Sequence, residues 1–407
     1  MPRLVTDPRP HPSMRVSRRG ALLGLTAAWT LGQTSLAVAA APTDRRLVVV
    51  LLRGALDGMA AVVPYGDPDL ARLRPGLVPP EPGQPRGLLD LGGFFGLHPA
   101  LAGVHEMVLA SQATFVHAVA GPYRSRSHFD AQDYLEGGGE QRMSSGWLNR
   151  AVAHIPGRRA NEALALGITT PLILRGPAPV GNYAAAGDAG IHPDLYARIA
   201  DLAHDDALLG PVIREGLRDR GFSHATLAGL EQTGDRNAFA NLAAAAGRLL
   251  ATADGPRVAA MEIGGWDTHA QQMQRLDAPL RQLDAGLVAL RTALGSAWAQ
   301  TAVLVVTEFG RTARVNGTRG TDHGTGGVAL VLGGAIAGGH VAGTWPGLTE
   351  ANLFENRDLA PTLDVRALAM GLLIRHMGLA PASLADVFPG SGSLSPQETL
   401  VRVPGPV

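Results

Sequence analysis

Two short stretches of the sequence put carboxylates and imidazoles close together. In Gly264-Gly265-Trp266-Asp267-Thr268-His269 an acid and a histidine stand two residues apart, a spacing at which extended backbone sends both side chains to the same side. Oxygen and nitrogen donors so placed can reach one ion, which for zinc means bonds of about 2.0 to 2.2 Å. In Gly320-Thr321-Asp322-His323-Gly324-Thr325-Gly326-Gly327 the glycines permit tight turns and close approach of backbone to a ligand. Adjacent residues point apart, so His323 reads as a direct ligand, while Asp322 either binds as well or orients its neighbour.

Two further acids end apolar runs. Glu308 follows Thr301 to Thr307, and an unpaired carboxylate at a buried strand end costs several kcal/mol. It must be metal-bound, protonated or paired. Arg311, three residues on, offers either a structural ion pair or an anion clamp. Asp57, after Leu47 to Leu52, poses the same choice, with Arg53 as its nearest cation. A polar loop, Tyr123-Arg124-Ser125-Arg126-Ser127-His128, supplies the remaining chemistry. Ser127 becomes a nucleophile only if a base or metal lowers its pKa, and Arg126 could hold phosphoryl or sulfuryl oxygens. The alternative is an ordinary solvated loop. His98, His105, His117 and His192 lack comparable neighbours and read as ordinary structural or surface residues.

Composition narrows the options. The chain has no cysteine, which excludes disulfides, thiolate nucleophiles, iron-sulfur clusters and Cys-ligated zinc. Its basic residues are all arginine, so no lysine Schiff base or P-loop lysine is available. The 35 basic and 35 acidic residues cancel, which leaves no steering field for nucleic acid. With 407 residues, 46% of them hydrophobic, the chain can bury a core large enough to hold charged groups in place.

The elements that must position these groups alternate. Arg46 to Arg53, Thr114 to Val119, Val258 to Ile263, Thr301 to Val306 and Val328 to Gly334 are short apolar runs, the pattern of strands covered on both faces. Pro171 to Leu174 is a further strand candidate. Met273, Leu276, Leu280, Leu283, Leu287, Leu290 and Leu294 recur at helical spacing despite Pro279, Asp201 to Ala253 reads mostly as helix, and Asp364 to Met377 as a closing helix. Strand, helix, strand, with polar groups at the strand ends, predicts an α/β, doubly wound, mostly parallel sheet with helices on both faces. Ligands of such folds bind at the carboxyl edge of the strands. Residues 75–87, rich in Pro and Gly, read as a surface loop inside a single domain over 40–407.

Residues 1–39 read as an address. Arg18-Arg19 precedes a modestly apolar stretch, and Ala37-Val38-Ala39 suits a signal peptidase. Gln33, Thr34 and Ser35 interrupt that stretch before bilayer length. The expectation is a twin-arginine signal, delivery to the periplasm or secretion by that export machinery, and a mature form without a stable membrane span. Nothing in the chain sets an oligomeric state.

Taken in order, LRGALDG at 52–58, RSHFDAQ at 126–132, EIGGWDTH at 262–269, VVTEFGRT at 305–312 and GTDHGTGG at 320–327 resemble the DUF1501 family. That family is regarded as a distant branch of the alkaline phosphatase and sulfatase superfamily. The resemblance implies an alkaline phosphatase-like α/β core with loop and helical insertions and one or two divalent metal ions. Carboxylate and imidazole ligands favour Zn or Mn over Ca, with Mg or Fe also compatible. The implied ligands are Asp57, Asp267, His269, Glu308, Asp322 and His323. Where the superfamily places an adjacent Asp-His pair this chain reads Glu308-Phe309, and Phe309 cannot ligate. The implied activity is hydrolysis of a phosphate or sulfate ester of a small molecule or glycan, with Ser127 or water attacking and His128, Arg126 and Arg311 assisting. The alternative is a noncatalytic metal- or glycan-binding protein on a degenerate hydrolase fold.

Overall fold

The computed structural model describes residues 44–159, 161–184 and 238–402. The export segment expected at 1–39, His192 and residues 201–237 of the expected helical stretch lie outside the described residues. β1 (Arg46–Leu52) is buried along its whole length, as a strand covered on both faces must be. Val48, Val50 and Leu52 enter one apolar cluster and Leu47, Val49 and Leu51 the other, because successive side chains leave opposite faces of a strand.

Around β1 the described residues add β2 (Ala113–Ala120), β3 (Ala163–Leu166), β4 (Val180–Tyr183), β5 (Val258–Ile263), β6 (Thr301–Thr307), β7 (Gly327–Leu332) and the short β8 (Val341–Ala342) and β9 (Leu363–Asp364). The sheet order is β8-β2-β7-β6-β1-β5-β3-β4, with β9 also paired to β2. β1 lies parallel to β5 and β6, with Val49 opposite Ala260 and Leu304. β5, β3 and β4 continue in parallel. β7 runs against its neighbours β2 and β6, so β2 points the same way as β1.

Helices cover both faces. α1 (Ala102–Leu109), α2 (His128–Gly137), α3 (Trp147–Ala153), α4 (Ala238–Ala251), α5 (Asp277–Leu294) and α6 (Val365–Gly371) follow in chain order. Val104 of α1, Leu249 of α4 and Leu283 of α5 pack in the cluster with Val48, while Leu148 of α3 and Leu368 of α6 pack in the cluster with Val49. The result is a mixed α/β fold with a mostly parallel central sheet.

Three expected elements differ. Leu172–Leu174 is a 3₁₀ turn, because Pro171 removes a ladder donor and the Ile173 N–H is taken by the Glu136 carboxylate at 2.8 Å. The strands of that region are β3 and β4 instead; β3 reads Ala-Leu-Ala-Leu, a weak strand signal. Met273 is 39% exposed, in contrast to Leu276, Leu280, Leu283, Leu287, Leu290 and Leu294. It lies in a separate short helix, Gln272–Arg275, and Pro279 falls in the first turn of α5, where its missing N–H goes unneeded. The closing helix changes to π geometry at Leu372–His376.

Two buried histidines couple this fold to pH. His376 donates from Nε2 to the Arg46 carbonyl at 2.8 Å, and His117 to the Val62 carbonyl at 2.7 Å. Burial lowers both pKa values to about 4, so both stay neutral in the fold while the unfolded chain takes up protons from about pH 6.5. Between those values the unfolded state binds more protons, and stability falls as pH falls, by on the order of 3 kcal/mol for each group. The urea midpoint therefore drops between pH 6.5 and 4, and His376→Gln flattens the drop; a midpoint constant across that window contradicts the assignment.

Candidate metal centre

The segments that follow β1, β2, β5 and β6 all leave the sheet at its carboxyl edge. Because β7 is antiparallel, the glycine-rich segment before it arrives at the same edge. Trp266 anchors one loop: it is fully buried and its indole N–H donates to the Ile263 carbonyl at 3.0 Å. Gly320 lets a second loop close on the first, since a Cβ there would stand 2.3 Å from the His269 carbonyl.

Three donor atoms, one each from His128, Asp267 and His323, lie within 4.8 Å of one another where these loops cross, and His269 stands beside Asp267 and His323. Asp267 Oδ1 lies 3.0 Å from His269 Nε2, 3.3 Å from His323 Nε2 and 3.6 Å from His128 Nε2. The Nε2 atoms of His269 and His323 are 3.0 Å apart. Donors bound tetrahedrally to one ion at zinc-like distances stand about 3.3 Å apart, so the set of His128, Asp267 and His323 suits a shared cation, with His269 adjacent to it.

The opposite nitrogen of each ring is held by an acceptor. His128 Nδ1 meets Glu308 Oε1 at 2.7 Å, His269 Nδ1 meets Asp322 Oδ1 at 3.1 Å, and His323 Nδ1 meets the Arg126 carbonyl at 3.0 Å. A carboxylate or carbonyl can only accept, so each Nδ1 carries a proton, and in the neutral ring that leaves Nε2 its lone pair. His128 Nε2 is buried and has no hydrogen-bond partner. Lone pairs converging at such distances repel unless a cation or proton lies between them. Outer hydrogen bonds of this kind fix the tautomer and orientation of metal-bound imidazoles, so the residues present fit a divalent ion.

Charge points the same way. The Glu308 hydrogen bond holds the His128 pKa above the ordinary range against the effect of burial. For Glu308, burial pushes upward, but hydrogen bonds from His128, Thr307 and Gln132 leave its carboxyl below the usual range. Burial also opposes ionisation of Asp267, and the Arg311 guanidinium outweighs it. A hydrogen bond from Asn316 and then the contact with His269 lower Asp322, while burial and the neighbouring His128 lower His323. Three carboxylates and one guanidinium surround the imidazoles, and those four groups leave two negative charges, which a divalent ion neutralises. The Asp267 and His269 side chains are 45% and 43% exposed, so the centre is open to solvent on one side, as catalytic metal sites are.

Several residues expected at the site take other positions. Asp57 is not among the donors. Its carboxylate is fully buried and accepts from Arg74 Nη1 at 2.9 and 2.8 Å and from Gln272 Nε2 at 2.7 Å. Arg53 pairs instead with Glu136 and Glu262. Glu308 also stands back from the donors: besides His128 it accepts from the Gly54 N–H at 2.9 Å and from Thr307 Oγ1 at 2.9 Å. Asp322 lies behind His269. Arg311 pairs with Asp267, not Glu308, and donates to the carbonyls of Gly54, Ala55, Trp266 and Thr321. The Arg126 guanidinium, expected to clamp an oxyanion, is engaged by Asp358 and Glu355. Ser127 is the N-cap of α2, and the cap does not use its hydroxyl.

Phe309 stacks on the His128 ring at 5.0 Å between centroids and leans on His323 at 5.2 Å. It forms a wall for two imidazoles, and His128, from the loop after β2, supplies a nitrogen beside it. Gln132, Asn316, Arg74 and Gln272 are not among the residues expected from the sequence. Gln132, one helical turn after His128, carried a usable signal because residues four apart share a helix face. Asn316 carried none: it holds Asp322 at 3.0 Å and the His269 carbonyl at 2.9 Å only through the folding of its loop.

The family described as "Protein of unknown function (DUF1501)" matches residues 98–388. No curated protein matches the sequence. Among solved structures, one similar protein belongs to the alkaline phosphatase superfamily and comes from Vibrio parahaemolyticus; it is 11% identical with a TM-score of 0.33, and the match covers 72% of this chain and 61% of that one. Ps i-CgsB in complex with k-i-k-neocarrahexaose is 11% identical with a TM-score of 0.37, over 83% of this chain and 73% of the other. BT1596, a 2-O GAG sulfatase, is 12% identical with a TM-score of 0.28, over 87% and 72%.

Proposed function

The chain belongs to the DUF1501 family, and from that premise we propose that it binds one divalent transition-metal ion through His128, Asp267, His269 and His323 and there hydrolyses a phosphate or sulfate ester. The observation that carries the reading is the set of three imidazoles whose Nδ1 atoms are held by Glu308, Asp322 and the Arg126 carbonyl, leaving three Nε2 lone pairs beside one carboxylate oxygen. Three nitrogens and one oxygen favour zinc, with manganese next, over Mg or Ca.

When bound, such an ion supplies Lewis acidity toward an ester oxygen. The protein's own groups do the positioning. Glu308 and Asp322 hold protons on Nδ1 and keep the facing nitrogens free. Arg311 keeps Asp267 ionised and fixes its Oδ1, and Phe309 walls the rings of His128 and His323. The half-exposed sides of Asp267 and His269 admit the substrate, a small-molecule or glycan ester. The attacking oxygen comes from water or from Ser127, whose hydroxyl the α2 cap leaves unused. In this reading the protein works in the periplasm or outside the cell, with Arg18-Arg19 as its export signal.

One observation favours a second reading, metal binding without turnover: the guanidiniums of Arg126 and Arg311 are both committed to carboxylates, which removes the expected oxyanion clamp. An assay of the purified protein on aryl phosphates, aryl phosphodiesters and aryl sulfates separates the two. Hydrolysis that a chelator abolishes and zinc or manganese restores is expected; stoichiometric metal with no turnover on any of these esters supports the second reading.

A further inference from the structure

Beside the metal centre, the side chains of Asp57, Arg74, Thr268, Gln272 and Thr321 form a polar network, each at most 2% exposed. Gln272 is its junction. Its Nε2 donates to Asp57 Oδ2 at 2.7 Å, while its Oε1 accepts from Thr321 Oγ1 at 2.6 Å and from Thr268 Oγ1 at 3.0 Å. The amide has one orientation, because the Asp57 carboxylate can only accept. Asp57 is anchored in turn by Arg74, which also donates to the carbonyls of Thr312 and Ala313 at 2.7 and 3.1 Å.

The two threonines give this junction its significance. Thr268 stands between Asp267 and His269, and Thr321 stands two residues before His323. A single buried amide therefore ties the loop carrying two donors to the loop carrying a third. The backbone follows the same seam: the Thr321 N–H donates to the Thr268 carbonyl at 3.3 Å and the Gln272 N–H to the Arg319 carbonyl at 2.9 Å. We infer that Gln272 is a positioning residue that sets the separation of these two loops and so tunes the affinity of the centre for its ion. This rests on the metal reading above. Groups that orient metal-binding side chains from behind alter affinity without touching the ion, and a buried amide bonded through both its nitrogen and its oxygen holds one geometry where an apolar filling would allow several.

Titration of the metal-free full chain with Co²⁺, followed by its visible absorption, tests the inference, with near-UV circular dichroism reporting the fold. Gln272→Met and Thr321→Val should each lower Co²⁺ affinity roughly 10- to 100-fold and alter the absorption band. Thr321→Ser keeps the hydroxyl and loses the methyl, and should retain wild-type affinity and band. The reverse order, with Thr321→Val like wild type and Thr321→Ser impaired, would mark Thr321 as packing alone and overturn the inference. If Gln272→Met does not fold, the Thr321 pair still decides. Wild-type protein that takes up no Co²⁺ refutes the metal reading itself; binding that is equal in wild type and every variant refutes only the role of Gln272.

Discussion

Asp267→Ala is expected to abolish high-affinity metal binding and ester hydrolysis together. Asp267 is the one anionic donor of the four, and its Oδ1 lies within 3.6 Å of each of the three Nε2 atoms. Removing it leaves three neutral nitrogens and exposes the ion to the Arg311 guanidinium, which now lacks its carboxylate partner. Losing the ligand charge and gaining a facing cation should cost on the order of a thousandfold or more in affinity. The metal-free fold should barely change, because the side chain is half-exposed and Arg311 keeps its bonds to four backbone carbonyls. Competitive zinc titration and urea denaturation of the metal-free protein measure the two halves. An affinity within about tenfold of wild type would count against Asp267 as a ligand.

Asp57→Ala has the opposite signature. Here the metal-free protein loses stability, by about 3 to 5 kcal/mol, because Arg74 is left with an uncompensated charge in a site that excludes water. Both partners are at most 1% exposed, so solvent cannot step in. The urea midpoint of the metal-free protein should fall, and zinc should still raise it. Were Asp57 a ligand, the metal-free midpoint would hold steady or rise and only the zinc-bound form would suffer.

The contrast between these two aspartates shows how far the sequence could be read. Both follow apolar runs, and both were expected at one centre. The runs themselves were legible because a strand buried on both faces must be apolar throughout, and β1, β5 and β6 are where their hydrophobicity puts them. The strand ends followed from the parallel pattern, so the edge at which the donors gather was legible too. What sequence spacing does not encode is which loop crosses above which strand end. Arg74 reaches Asp57 from a loop 17 residues on, and no local pattern reveals that pairing. By the same logic Glu308 was expected to touch the ion, yet its partner is an imidazole from the loop after β2, and His128 is the residue placed among the donors. The Glu308-Phe309 dipeptide looked like a lost ligand; in the fold, Phe309 is a wall and a nitrogen stands next to it from elsewhere in the chain. From the sequence, Arg126 is expected at an oxyanion and Arg311 in either a structural ion pair or an anion clamp. Arg126 and Arg311 found carboxylates of the chain itself, Asp358 and Asp267, which lie 232 and 44 residues away.

X-ray absorption at the zinc edge of the zinc-loaded protein tests the central claim most directly. One zinc per chain is expected, with three imidazole nitrogens and a carboxylate oxygen at about 2.0 to 2.2 Å, and His128→Ala should lose one nitrogen scatterer. A protein that takes up no stoichiometric metal, or a first shell built from oxygens alone, would contradict it.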